Sequence, residues 1–138
     1  MANREIRVVA AVIERQGKYL ITQRRDEAVL PRLWEFPGGR VNEGETDEAA
    51  LHREVRERIS VDVVVGDRVA ERHHAYDGYE VTLCLYTCTL AEDAEPTPVR
   101  VRDVRWVGSG EFSSYPFPPA DQKTMDELLG VKRWEPKR

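Results

Sequence analysis

Residues 38–61 read GGRVNEGETDEAALHREVRERISV, a glycine pair, a polar loop and a charged helix in succession. The glycines follow Trp34-Glu35-Phe36-Pro37 and allow backbone angles and close approach that any side chain would forbid. From Thr46 the pattern predicts a helix. Thr46 is its N-cap, Asp47 and Glu48 sit in the first turn where the helix dipole favours negative charge, and β-branched residues are few before its end. At about 100° per residue with Glu54 as zero, Glu57 lies near −60°, Ala50 near −40° and Arg58 near +40°, while Leu51, Val55 and Ile59 fill about 60° to 140°. One arc is therefore expected to bury and the adjacent arc to present charge. Arg53, next along the chain from Glu54, is expected to hold that carboxylate through a bidentate hydrogen bond.

The spacing G-x5-E-x7-R-E-U-x-E-E-x-G-U, with U an aliphatic residue, is met by Gly39, Glu45, Arg53, Glu54, Val55, Glu57 and Val61. Arg58 stands where a second consecutive glutamate belongs and Ser60 where a glycine belongs, so seven of nine fixed positions fit. On these residues the chain resembles the Nudix family, whose box this spacing is. Taken alone, EAALHREVRER also reads as an amphipathic surface helix with solvated i,i+4 pairs, each worth a few tenths of a kcal/mol. The glycine pair, Glu45 and the seven-residue interval upstream point instead to a diphosphate site.

The chain has 138 residues, 41% of them hydrophobic, and a net charge of −4. It is expected to form one domain over residues 1–138 with a sizeable core. The acidic balance argues against nucleic acid or an anionic membrane as partner. With neither an apolar span of about twenty residues nor a signal-peptide pattern, a cytoplasmic location is expected. Cys84 and Cys88 lie four residues apart in one predicted strand, roughly 13 Å at the usual rise, too far for a disulfide. They read as buried reduced thiols. Strands are expected at Ile6 to Ile13, Tyr19 to Thr22, Val61 to Val65, Val69 to Arg72, Glu80 to Leu90 and Val101 to Val107, and a last helix from about Ala120 to Leu129, stopped by Gly130.

This order of elements is similar to the Nudix α/β/α sandwich, a mixed β-sheet between helices, from about Glu5 to Leu129. The resemblance is nearest to the small nucleoside triphosphate pyrophosphohydrolases, of the mutator type that cleaves oxidised dGTP and the type that cleaves CTP. Leu33-Trp34-Glu35-Phe36 and Pro119-Ala120-Asp121 are similar to the cytidine type. The resemblance implies that a nucleoside triphosphate, or a related nucleoside diphosphate derivative, is split with help from Mg²⁺ or Mn²⁺. Hard cations take oxygen ligands, so clustered carboxylates suit that role. Glu54 and Glu57 map onto metal-ligand positions, the Gly38 carbonyl adds an oxygen, and Glu45 and Arg53 map onto supporting positions.

Two ligand positions depart from the pattern. Arg58 replaces one acid, and the further acid, expected on the loop before the strand that ends in tryptophan, falls on Arg100, six residues ahead of Trp106. Two acids facing two guanidinium groups sum to zero charge, where four acids would carry four negative charges, so metal dependence is expected to be weak or absent. Guanidinium groups are always protonated and suit bidentate phosphate contacts, so Arg58 and Arg100 are expected to hold the polyphosphate directly. The other reading of Arg58 is an i,i+4 partner of Glu54, which still removes a ligand. Glu43, one residue from a position where many family members carry an extra acid, is a candidate to restore part of the count. Arg24 maps onto a phosphate-contacting arginine, with an exposed strand-end role as the alternative. Trp34, Phe36 and Tyr76 are candidates to wall a base, against an ordinary core role. Asp121 would accept from the exocyclic amine of cytosine or adenine, or else only favour a helix start. His73 and His74 are expected on opposite faces, in structural roles. The function implied is a cytidine-type Nudix pyrophosphohydrolase releasing monophosphate and pyrophosphate, in a monomer or homodimer. The alternative is a catalytically impaired nucleotide-binding module in which Arg58 and Arg100 replace the metal-ligand acids.

Overall fold

The computed structural model describes residues 4–131; the ends of the expected 1–138 domain, residues 1–3 and 132–138, lie outside them. The strands are β1 (Arg4–Arg15), β2 (Lys18–Gln23), β3 (Trp34–Glu35), β4 (Gly38–Arg40), β5 (Val64–Tyr76), β6 (Tyr79–Thr89) and β7 (Asp103–Gly108). The helices are α1 (Asp47–Ile59) and α2 (Gln122–Leu129), with a 3₁₀ turn at Ser109–Ser114. Strand β1 runs parallel to β6 and antiparallel to β2 and β4, β5 pairs antiparallel with β6, and β2 pairs antiparallel with β3 and β7. The sheet is thus mixed, and the α/β class expected from the resemblance holds.

Alternation along β1 and β6 assigns the two faces. Val9, Ala11, Ile13, Cys84 and Cys88 meet Ala50, Leu51, Val55 and Ile59 of α1 in the main core. Ile6, Tyr76, Tyr79 and Val81, on the opposite face, pack with Met125 and Leu129 of α2. Both cysteines are free and buried, and burial pushes the Cys88 thiol up to about 11.

Thr46 caps α1 by accepting from Ala49 N at 3.1 Å. Asp47 does more than favour the dipole, because Arg7 of β1 grips both its oxygens at 2.7 Å and the Tyr86 hydroxyl of β6 donates to it as well. These contacts pin the first turn of α1 to the sheet. At the other end Ser60 adopts a left-handed φ of 58°, the conformation that favours the glycine its position ordinarily carries.

Two strand expectations change. Val61 to Val65 and Val69 to Arg72 were expected as separate short strands; the chain instead forms one long β5, with register shifts between Val65 and Arg68 and between Arg68 and Ala70. Bulges of this kind break the period-2 pattern without ending the strand. The glycine pair lies in the short strand β4 rather than in a free turn. Among the described residues no helix is long and apolar enough to cross a membrane.

Candidate active site

The glycine pair is required by close approach. Gly38 and Gly39 stand opposite Ala10 and Val9 of β1, and neither has positive φ. A Cβ on Gly38 would lie 2.1 Å from the Val9 carbonyl oxygen, and one on Gly39 would lie 2.5 Å from the carboxyl carbon of Glu54. The missing side chain at Gly39 lets Glu54 of α1 reach the β4 backbone.

Arg53 organises this junction. Its guanidinium forks onto Glu45, with Nε to Oε2 at 2.8 Å and Nη2 to Oε1 at 2.9 Å, while Nη1 donates to Glu54 Oε1 at 2.7 Å and Nη2 also reaches the Arg40 carbonyl at 3.0 Å. The bidentate partner is therefore Glu45, not Glu54 as the sequence suggested; the geometry of the loop brings Glu45, which also accepts from Asn42 N, squarely into the fork. Arg53, then the Asn42 amide, holds the Glu45 carboxyl well below the usual carboxylate range, at about 2.

The second oxygen of Glu54 accepts from Arg58 Nε at 2.7 Å. Glu54 is only 13% exposed, so both oxygens of a largely buried carboxylate are taken by guanidinium groups. Glu57 Oε2 lies 3.7 Å from Arg100 Nη1 and 3.9 Å from Arg53 Nη1. Arg100 arrives there because the loop ahead of β7 satisfies the end of α1: the N–H groups of Val99 and Arg100 both donate to the Arg58 carbonyl, and that of Thr97 to Ile59. Among the described residues no three acidic, histidine or cysteine side chains converge as a metal site. The donor set as arranged does not fit a resident divalent cation, since such a cation at Glu54 would first have to displace Arg58. Glu43 does not complete the set; it lines a separate groove of about 490 Å³ with Arg4 and Arg7.

Around β4 this junction opens into a cleft of about 700 Å³ on the α2 face of the sheet. Its floor is set by register: Arg40 pairs with Val8, Val8 with Leu83, and Leu83 with Arg72, one transverse row across four strands. Met125, Leu128, Leu129 and Pro118 line it from the α2 side. Arg24 and Arg58 reach the cleft, as does Glu35, which accepts from Arg24 Nη1 at 2.9 Å. Tyr76 walls the far side, its hydroxyl donating to the Ala120 carbonyl at 2.8 Å and its ring 4.3 Å from that of His74. His73 lies on the other face, bonded to Thr82 and Glu71.

Three candidates lie elsewhere. Trp34 packs with Ile21 and Val107 and edge-on to Tyr115, and Phe36 packs with Phe112 and Phe117; these rings form a satellite core on the β2–β7 side. Asp121 caps α2, accepting from Thr124 N at 2.8 Å and Thr124 Oγ1 at 2.9 Å, so its carboxylate serves the helix rather than a base edge. The charged cleft residues that the sequence reading passed over are Glu35, Arg40 and Arg72. Arg72, His74 and Tyr76 recur with period 2, the only local signal that they share a face.

A family model described as NUDIX domain matches residues 8–127. The CTP pyrophosphohydrolase of Escherichia coli (strain K12) is 32% identical over 136 residues, covering 95% of this chain and 96% of that protein. The putative 8-oxo-dGTP diphosphatase 2 of Mycobacterium tuberculosis is 37% identical over 124 residues, covering 88% and 86%. The solution structure of the E. coli ORF135 protein superposes with a TM-score of 0.72 at 31% identity, covering 94% of this chain and 91% of that one.

Proposed function

The chain belongs to the Nudix family, and from that premise we propose that it is a nucleoside triphosphate pyrophosphohydrolase. Water adds to one phosphorus, the P–O–P bridge breaks with its electrons leaving on the departing oxygen, and the water proton passes to solvent; monophosphate and pyrophosphate result. The observation that carries the reading is the Gly39–Glu54–Arg53–Glu45 junction opening onto a nucleotide-sized cleft with an apolar floor. The E. coli relative, named a CTP pyrophosphohydrolase and matched along nearly its whole length, supports a cytidine nucleotide as the substrate.

The finer proposal is that metal dependence is weakened. The family generally works with a divalent metal, and here Mg²⁺ or Mn²⁺ would compete with Arg58 for Glu54, while Arg100 faces Glu57. The same arrangement favours one second reading, a module that binds the nucleotide and turns it over poorly. The deciding experiment is pyrophosphate release from a panel of nucleoside triphosphates with and without Mg²⁺ or Mn²⁺, with binding measured on the same samples. Release from CTP supports the enzyme; tight binding without release in any metal supports the module.

A further inference from the structure

Arg72 ends the transverse row Arg40–Val8–Leu83–Arg72 on the side away from the glycine pair. Three strand spacings, roughly 14 Å, separate its Cα from that of Arg40. Between them the floor is apolar, with Val8, Leu83 and Val81, and the opposing side, from Met125 and Leu128 of α2, is apolar too. Such surfaces suit a flat ring, whose edge then meets the β5 wall. On that wall the Tyr76 hydroxyl already donates its hydrogen bond to the Ala120 carbonyl. Arg72 is exposed and makes no side-chain hydrogen bond or ion pair among the described residues, whereas Arg24 and Arg58 in the same cleft are engaged by Glu35 and Glu54.

Resting on the pyrophosphohydrolase reading, which sets the phosphates at the glycine end, we propose that Arg72 is the specificity-determining contact to the base. A guanidinium offers two parallel donors and no acceptor, so it selects a base edge with two adjacent acceptors. Guanine presents O6 and N7 in this way, and cytosine presents O2 and N3. Adenine and uracil set an acceptor beside a donor, which leaves one arm of the fork facing an N–H. The wall therefore accepts cytosine and guanine nucleotides over adenine and uracil ones, a pairing of preferences that an acceptor such as Asp121 would not give.

The test is the specificity constant for pyrophosphate release from CTP, GTP, ATP and UTP by the wild type, Arg72→Ala and Arg72→Lys, with competitive binding of CMP and AMP on the same proteins. Arg72 is exposed, so both variants keep the fold, which circular dichroism checks. The wild type should favour CTP and GTP by roughly 10- to 100-fold. Arg72→Ala should remove that preference while leaving ATP and UTP almost unchanged, and Arg72→Lys, with the charge but not the fork, should not restore it. Equal losses on all four nucleotides would make Arg72 a phosphate contact and overturn the inference, as would an unchanged preference in Arg72→Ala. A wild type that neither binds nor cleaves any of the four would overturn the pyrophosphohydrolase reading itself, a result distinct from either of those.

Discussion

Arg58 Nε sits 2.7 Å from Glu54 Oε2, one helical turn away on α1, on the oxygen that Arg53 leaves free. The contact does two things. It supports the helix as an i,i+4 pair, and it neutralises the carboxylate that the box would otherwise offer to a cation.

Arg53 holds the site together, and its loss should register as stability before it registers as chemistry. Arg53→Ala removes charge-assisted bonds to Glu45 and Glu54 and leaves Glu54, 13% exposed, with one partner fewer. We expect destabilisation of about 2–4 kcal/mol in urea unfolding, in the range for breaking partly buried charge-assisted contacts. A midpoint within error of wild type would show that the junction is not cooperative.

Acid should loosen the same junction in a defined window. The Arg53 guanidinium holds the folded Glu45 carboxyl down at about 2, below its ordinary value of 4.5, so its contribution is fully present above the unfolded value and is lost as pH falls through the folded one. Stability of the wild type should decline between about pH 4.5 and 2 more steeply than that of Glu45→Gln, whose side chain does not titrate. Parallel pH profiles for the two proteins would refute the assignment.

Ser60 ends α1 with φ 58°, a conformation costing an L-residue about 1 kcal/mol that glycine escapes. Ser60→Gly should raise the stability by up to about 1 kcal/mol, less what glycine adds to the entropy of the unfolded chain. Thermal unfolding checks it, and the expected shift is upward by a few degrees.

The parts of this fold legible in the sequence were the local ones. The Thr46 cap, the buried arc of Leu51, Val55 and Ile59, and the requirement for small residues at Gly38 and Gly39 follow from spacing within one element. The β5 strand was split in the reading because its bulges interrupt the alternation on which strand recognition depends. Trp34 and Phe36 stayed open between a base wall and an ordinary core role because nothing local announces Phe112, Tyr115 and Phe117 as their partners, about 80 residues away along the chain. Arg72 was passed over for the same reason, since its place in the cleft exists only through the register of β4, β1, β6 and β5.

The most direct measurement is Mg²⁺-dependent pyrophosphate release from CTP by the wild type, by Arg58→Glu and by Arg58→Glu combined with Arg100→Glu, each titrated with metal. A cation at Glu54 must break the Arg58 bond, worth about 1.5–3 kcal/mol, so freeing that oxygen should lower the Mg²⁺ concentration for half-maximal release by roughly 10- to 100-fold. The double variant should gain further. Metal-free nucleotide binding should weaken in both. If the wild type already turns over fully at low Mg²⁺ and Arg58→Glu changes neither the metal requirement nor the rate, Arg58 does not govern the site and the account is contradicted.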